Sequence, residues 1–187
     1  MNVFDFDGTL YHGDSTVDFC RFCLKKNPAL VKYFPTIFSA FAQYTVKRLN
    51  KTQMKERFYR FLKDVDAEPM VEEFWQTHKK NIYPWYSARH QEDDIVISAS
   101  PEFLLEPICR ELGIHTLMAS RVDPATGRYT GSNCHGEEKV RRLEQQTGVT
   151  QIDQFYSDSL HDLPLARIAH EAYLVNRRGQ LKKWDVR

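Results

Sequence analysis

A doubly wound α/β fold is what this sequence predicts: a mostly parallel sheet of five strands, with an all-helical insertion after the first strand. Three observations lead there. Short apolar runs of strand length fall at 2–6, 94–99, 115–120, 154–157 and 172–175. Helical patterns lie between most of the later runs, which is how parallel βαβ units read in sequence. Between the first two runs, residues 15–87 keep a helical period throughout, with no convincing strand.

The elements follow in order. The run at 2–6 ends in Asp7-Gly8, so a buried strand passes into a loop. Ser15 is a suitable helix N-cap, with Asp18 three residues on. Within the insertion, Phe34, Phe38, Phe41 and Thr45 share one helix face, and Met54, Phe58, Phe61, Leu62 and Val65 share another. Met70, Phe74 and Trp75 form a third, and Pro28, Pro35, Pro69 and Pro84 punctuate the segment into three or four helices. The strand at 94–99 leads to a helix with Ser100 as N-cap and Pro101 in its first turn, stopped by Gly113. The strand at 115–120 precedes a hairpin turn at 123–130, which contains Asp-Pro-Ala-Thr-Gly. A helix at 137–147 closes at Gly148, the strand at 154–157 follows, and a helix at 163–170 leads to the last strand. The sheet is thus Rossmann-like, built from residues 1–14 and 91–187, with residues 15–90 inserted.

Charge separates the two parts. Residues 15–90 carry 14 Lys/Arg against 7 Asp/Glu, and the remainder 12 against 18, within a net charge of only +1. The 42% hydrophobic and 13% aromatic content is that of a globular chain, which excludes disorder. No apolar run is long enough to span a bilayer, and acidic residues directly after Met1-Asn2-Val3-Phe4 are unlike a signal peptide. A cytoplasmic protein is expected. Cys20 and Cys23 form a CxxC inside an amphipathic pattern, and Cys109 and Cys134 stand apart, so all four read as reduced thiols without metal or redox work.

Two acidic pairs carry the chemistry. Asp5 and Asp7 end the first strand, and Asp158 and Asp162 follow the fourth. Like charges this close are costly unless a cation or proton lies between them. An all-oxygen set calls for a hard divalent ion, with Mg2+ the favoured one. In open α/β sheets, ligands gather beyond the carboxyl ends of the strands, where Asp5, Ser98 and Asp158 all fall.

Four motifs in order resemble those of the haloacid dehalogenase (HAD) superfamily of phosphatases, in particular its phosphoserine-phosphatase-like subgroup. Asp5-Phe6-Asp7-Gly8-Thr9-Leu10 resembles the first, Ser98 the second, Lys139 the third, and Asp158-Ser159-Leu160-His161-Asp162 the fourth. The insertion stands where that subgroup carries a helical C1 cap. The resemblance implies a phosphoric monoester hydrolase with Asp5 as nucleophile and Asp7 as acid/base. It implies Mg2+ held by Asp5, Asp7, Asp158 and Asp162, and phosphate bound by Ser98, Lys139, Thr9 and Ala99.

The resemblance further implies that the cap selects a small phosphorylated substrate. Asp14, Arg21, Arg48 and Arg57 are candidates for that contact, with Tyr44 beside them. Leu30, Val31, Phe34, Ile37, Phe38 and Phe41 are expected to pack inside the cap. If exposed, they would make a membrane-facing stripe and point to a lipid-phosphate phosphatase. A non-catalytic phospho-ligand binder is the third possibility. No nucleic-acid-binding motif is present.

Overall fold

A computed structural model describes residues 1–186. The strands are β1 (Asn2–Phe4), β2 (Ile95–Pro101), β3 (Thr116–Ser120), β4 (Ile152–Ser157), β5 (Ala169–Val175) and β6 (Leu181–Lys183). They form one sheet in the order β3-β2-β1-β4-β5-β6, parallel except for the β5–β6 hairpin. β1 is central, with Phe4 in register with both Val96 and Tyr156.

The fold class agrees with the sequence, but the sheet has six strands instead of five. The extra strand is three residues long and reads Leu-Lys-Lys, too short and too polar to show as an apolar run. The turn before it carries Gly179 at φ +72°, so the hairpin signal was an Asn-to-Gly turn, and edge lysines suit an exposed rim.

Strand alternation divides the interior. Val3, Ile97 and Phe155 face one layer with Leu143, Leu165 and Trp184. Phe4, Val96 and Tyr156 face the other, which continues without a break into Phe19, Phe61, Phe74 and Trp75 of the insertion. Phe4 stacks on Tyr156 at 4.8 Å, and Tyr156 on Tyr173 at 5.1 Å. Trp75 Nε1 donates to the Leu104 carbonyl at 2.6 Å, tying the inserted helices to the helix that follows β2.

Between β1 and β2 lie α1 (Ser15–Lys26), α2 (Phe34–Thr45), α3 (Lys51–Phe58) and α4 (Ala67–His78), joined through tight turns at Pro28–Tyr33 and Tyr59–Asp64. Beyond β2 come α5 (Glu102–Glu111), α6 (Glu137–Thr147) and α7 (Leu163–Arg167). The hairpin at 123–130 forms as expected, with Gly127 N–H donating to the Asp123 carbonyl at 2.8 Å. Gly127 has φ +70°, and a Cβ there would stand 2.3 Å from the Tyr59 carbonyl, so the hairpin lies directly against the insertion.

Three local expectations change. Asp14, not Ser15, caps α1, its Oδ1 accepting from Val17 N at 2.9 Å. Ser100 lies within β2, and Pro101 precedes α5 without a side-chain cap. α7 stops at Arg167, because residues 169–171 join β5 and pair with β4. The apolar stripe of the insertion also divides: Leu30 and Ile37 are buried, but Val31, Phe38 and Phe41 are exposed. No helix among the described residues is long and apolar enough to cross a membrane.

Candidate active site

Three parallel strands end at one edge, and each delivers a polar group there. Asp5 follows β1, and its N–H donates to the Tyr156 carbonyl at 2.9 Å, which pins the first loop to β4. The loop folds back on itself, with the N–H groups of Leu10 and Tyr11 both reaching the Phe6 carbonyl at 2.9 Å. Gly8 sits at φ +71°, and a Cβ there would be 2.2 Å from Asp158 Oδ2. Only glycine lets this loop lie against the end of β4. Thr9 Oγ1 accepts from Asp158 N at 2.9 Å, fastening the two loops from the other side.

α6 supplies the cation. Lys139 is 2% exposed, and its Nζ donates to Asp5 Oδ1 at 2.9 Å and Asp162 Oδ2 at 2.8 Å. Ser157 Oγ also donates to Asp162 Oδ2, at 2.8 Å. Arg142, one turn further along α6, hydrogen-bonds Glu138 and the carbonyls of Ala119 and Ser132, so the helix that aims Lys139 is anchored to β3 and the loop after it. Asp7 accepts from Ser15 N at 2.6 Å and from Ser100 Oγ. Buried Ser98 accepts from Ser100 N at 3.1 Å.

Burial governs the protonation of these groups. It pushes Asp5 up to about 7, against the pull of Lys139. It pushes Asp7 up to about 6, with the charge of Asp14 adding to the rise and hydrogen bonds from Ser100 and Ser15 opposing it. Burial and Asp162 raise Asp158. Burial also acts to lower Lys139, but two flanking carboxylates outweigh it and hold the ammonium above its usual range. Asp5 shifts upward because the loss of water outweighs its lysine partner, and Lys139 shifts upward because its two carboxylate partners outweigh the same loss. We take the lysine as charged and Asp5 as the group that a proton or an added cation would satisfy.

These residues line a cavity of about 920 Å³. Asp5, Asp7, Asp14, Ser98, Ala99, Lys139, Asp158 and Asp162 are all in its walls. Thr9 is not; its hydroxyl is engaged by Asp158 N, so it shapes the loop instead of meeting a ligand. Ala99 contributes a carbonyl that accepts from Lys55 Nζ at 2.8 Å. Arg21, Arg48 and Arg57 do not line the cavity: Arg21 turns outward to pair with Asp18, and Arg48 is exposed. Tyr44 is likewise outside, exposed on α2.

The insertion presents Lys51, Met54, Lys55 and Phe58 instead, spaced i, i+3, i+4 and i+7 along α3. Burial, with Lys51 beside it, pulls Lys55 down to about 8. His135 and His161 also line the cavity, ring centres 5.4 Å apart, and burial lowers His135 to about 4. The thiols do not take part: burial raises Cys20 and Cys23 to about 11 and 12.

The donor chemistry suits a hard cation. Several carboxylates share one desolvated cavity, with burial raising at least Asp5, Asp7 and Asp158, and Lys139 contacts only two of the four. The Gly8–Asp158 approach keeps the first loop close to the fourth motif. Among the described residues, no three His, Cys, Asp or Glu side chains already stand grouped as a metal cluster.

The family model described as haloacid dehalogenase-like hydrolase matches residues 3–167. A protein of Neisseria meningitidis serogroup C named histidinol-phosphatase is 26% identical, over 98% of this chain and 93% of its own length. Among solved structures, a Bordetella pertussis protein of unknown function superposes with a TM-score of 0.76 at 23% identity, covering 92% of this chain and 87% of that one. A probable phosphoserine phosphatase from Vibrio cholerae superposes at 0.66 and 16% identity, covering 91% and 55%. At these identities the two structures speak for the fold.

Proposed function

The chain belongs to the haloacid dehalogenase-like hydrolase family and is a phosphatase, and on that premise we propose that it hydrolyses a small phosphorylated metabolite through an aspartyl-phosphate on Asp5, with magnesium as cofactor. The observation that carries this reading is the Lys139 bridge, which joins Asp5 and Asp162 from distant parts of the chain around one buried ammonium. In this reading the catalytic core is 1–14 with 91–187, and 15–90 is the cap; four helices in sequence between β1 and β2 support that division. Four free thiols accord with a cytoplasmic setting.

Lys139 occupies Asp5 Oδ1, which leaves Oδ2 to attack phosphorus. The bond to the ester oxygen breaks as the bond to Oδ2 forms, and the leaving alkoxide takes the proton of Asp7. An acid raised to about 6 holds that proton in a useful fraction of molecules near neutrality. Asp7, now a carboxylate, takes a proton from water as the water attacks phosphorus, and the Asp5–phosphorus bond breaks to release phosphate. Ser98 and Lys139 line the same wall as Asp5 and would hold the phosphoryl oxygens. Asp5, Asp158 and Asp162, with the main chain of Asp7, would hold Mg2+, which when bound screens the repulsion between carboxylate and phosphate.

Lys51 and Lys55 of the cap add positive charge to the cavity and Asp14, where the core passes into the cap, adds a carboxylate, which together suit a phosphate ester that also bears an amine. Histidinol phosphate and phosphoserine therefore head the panel of compounds to test. The experiment is phosphate release from that panel with Mg2+ or EDTA, for the wild type and for Asp5→Asn. Metal-dependent turnover lost in the variant is expected; full activity in Asp5→Asn would sink the reading. A lipid-phosphate phosphatase is the second reading, favoured by the apolar wall of Phe41, Met54 and Phe58. It requires faster turnover of a phosphorylated lipid in mixed micelles than of any soluble ester.

A further inference from the structure

Among the described residues, five of the six large apolar side chains that stand exposed fall within one stretch of 16 residues. They are Val31 (59% exposed), Phe38 (66%), Phe41, Tyr44 and Val46 (63%). Soluble proteins expose single apolar residues freely, but a contiguous group marks a surface that meets something. Ordinary helix packing does not account for it. α2 already buries Ile37 and Ala40 against the rest of the molecule, while Phe38, Phe41 and Thr45 stand exposed on another face beside half-buried Phe34.

The charge pattern says what this surface meets. Residues 33–46 contain no charged side chain, so the outward surface of α2 is uncharged. Its borders are cationic: Lys32 precedes it and Lys47 and Arg48 follow it. Lys32 is paired with Asp64, while Lys47 and Arg48 are exposed. Lys47 holds φ at +58°, a left-handed conformation that a lysine adopts only at some cost, and its N–H closes the last turn on the Tyr44 carbonyl. The chain thereby turns sharply at the end of α2, placing both cations beside the exposed aromatics. Over the wider segment 25–63 there are ten Lys/Arg and one acid, Glu56. A second copy docked face to face would bring these cationic borders together, and like charges oppose that. A surface of apolar side chains with a basic rim complements an anionic bilayer, into which aromatic rings sink to the headgroup boundary while Lys and Arg meet the phosphates.

We propose that the outward face of α2 and the turns at its two ends, with Phe38 on the helix, Val31 before it and Val46 after it as apolar contacts and Lys47 and Arg48 as the basic rim, dock this protein onto anionic lipid membranes. Phe41 belongs both to this face and to the cavity wall, so docking would set the cavity mouth close to the bilayer surface. The proposal does not rest on the phosphatase mechanism, because lipid binding is read without turnover.

The test is flotation of the full chain, in EDTA, with vesicles of phosphatidylcholine alone or with about a third phosphatidylglycerol, at low and high salt. Binding to the anionic vesicles alone, weakened by salt, is expected. Phe38→Asp and Val46→Asp should each lower partitioning by about tenfold or more, and Arg48→Glu by about fivefold or more. These positions lie outside the cavity walls, so turnover of a soluble aryl phosphate should stay at the wild-type rate and report that each variant is folded. Three results would overturn the proposal: no binding at low salt, equal binding to neutral vesicles, or binding that ignores Phe38 and Val46. So would sedimentation showing a dimer that Phe38→Asp splits, since the face would then belong to a second copy.

Discussion

Lys139→Met tests the centre of the site directly. The substitution keeps the length of the aliphatic stem and removes the ammonium. It leaves Asp5, Oδ1 of which now accepts from Nζ at 2.9 Å, without its ion pair, and Asp162 with Ser157 as its remaining side-chain donor. Breaking a pair this deeply buried costs about 3–5 kcal/mol, because the orphaned charge stays out of water. For a chain of this length that lowers Tm by roughly 6–20 °C. The loss must depend on pH. Burial already raises Asp5 above its unfolded value, and without Lys139, which pulls it down, it rises further. A carboxyl raised on folding contributes its stability below the unfolded pKa and loses it as pH climbs through the folded one. The gap between variant and wild type should therefore be small near pH 4 and full by pH 8. Urea unfolding in EDTA at both pH values measures it. A deficit under about 1 kcal/mol at pH 8, or the same deficit at both, would refute the charge argument.

Four further outcomes follow from the same geometry. Asp7→Asn should lose about 10²–10⁴ in kcat yet be no less stable than wild type above pH 6, since a neutral amide replaces a carboxylate that burial destabilises; parallel kinetics and unfolding check both halves. Metal-free protein should lose stability as pH rises from about 4 to about 7, the window in which Asp5 and Asp7 ionise at a disadvantage, so the thermal shift from added Mg2+ should grow over that range in a pH series. Gly8→Ala must fit a Cβ 2.2 Å from Asp158 Oδ2 at a positive φ, which should raise the Mg2+ concentration needed for half-maximal turnover; a metal titration reads this. Lys55→Met should raise KM more than it lowers kcat, because the lysine lines the cap wall and donates to Ala99 without touching Asp5; initial rates against substrate concentration separate the two.

How legible the molecule is in its sequence depends on which force sets each part. Strands β1 to β5 were readable because each lies in an apolar run with no competing signal. β6 was not, because Leu181–Lys183 is held by hairpin pairing to β5 and buries little. The helix starts at Ser15 and Ser100 were misread for a physical reason: a serine before a helical run is a plausible cap, but here Ser15 N–H and the Ser100 hydroxyl both turn to Asp7. Capping rules weigh local partners, and a buried carboxylate brought from a distant strand outcompeted them. The same rule named Ser100 and overlooked Asp14, the residue that does cap α1.

The site shows the same division between local pattern and tertiary placement. Asp5, Ser98, Lys139, Asp158 and Asp162 were identifiable because strand ends of a parallel sheet must converge, so topology alone brings them together. The cap offers no such constraint. Of the candidates for substrate contact, Asp14 lines the cavity, while Arg21, Arg48, Arg57 and Tyr44 do not. The signal that was available is the spacing of Lys51, Met54, Lys55 and Phe58. Met54 and Phe58 group by periodicity with Phe61, Leu62 and Val65, and that pattern gives no place to the two lysines. Periodicity says which side chains share a face; it does not say whether that face meets a core, water or a cavity. A face that mixes lysines with Met and Phe belongs to none of the simple cases. Placed over a sheet edge rich in carboxylates it becomes a wall, and burial then lowers both of its lysines against the pull of the acids opposite.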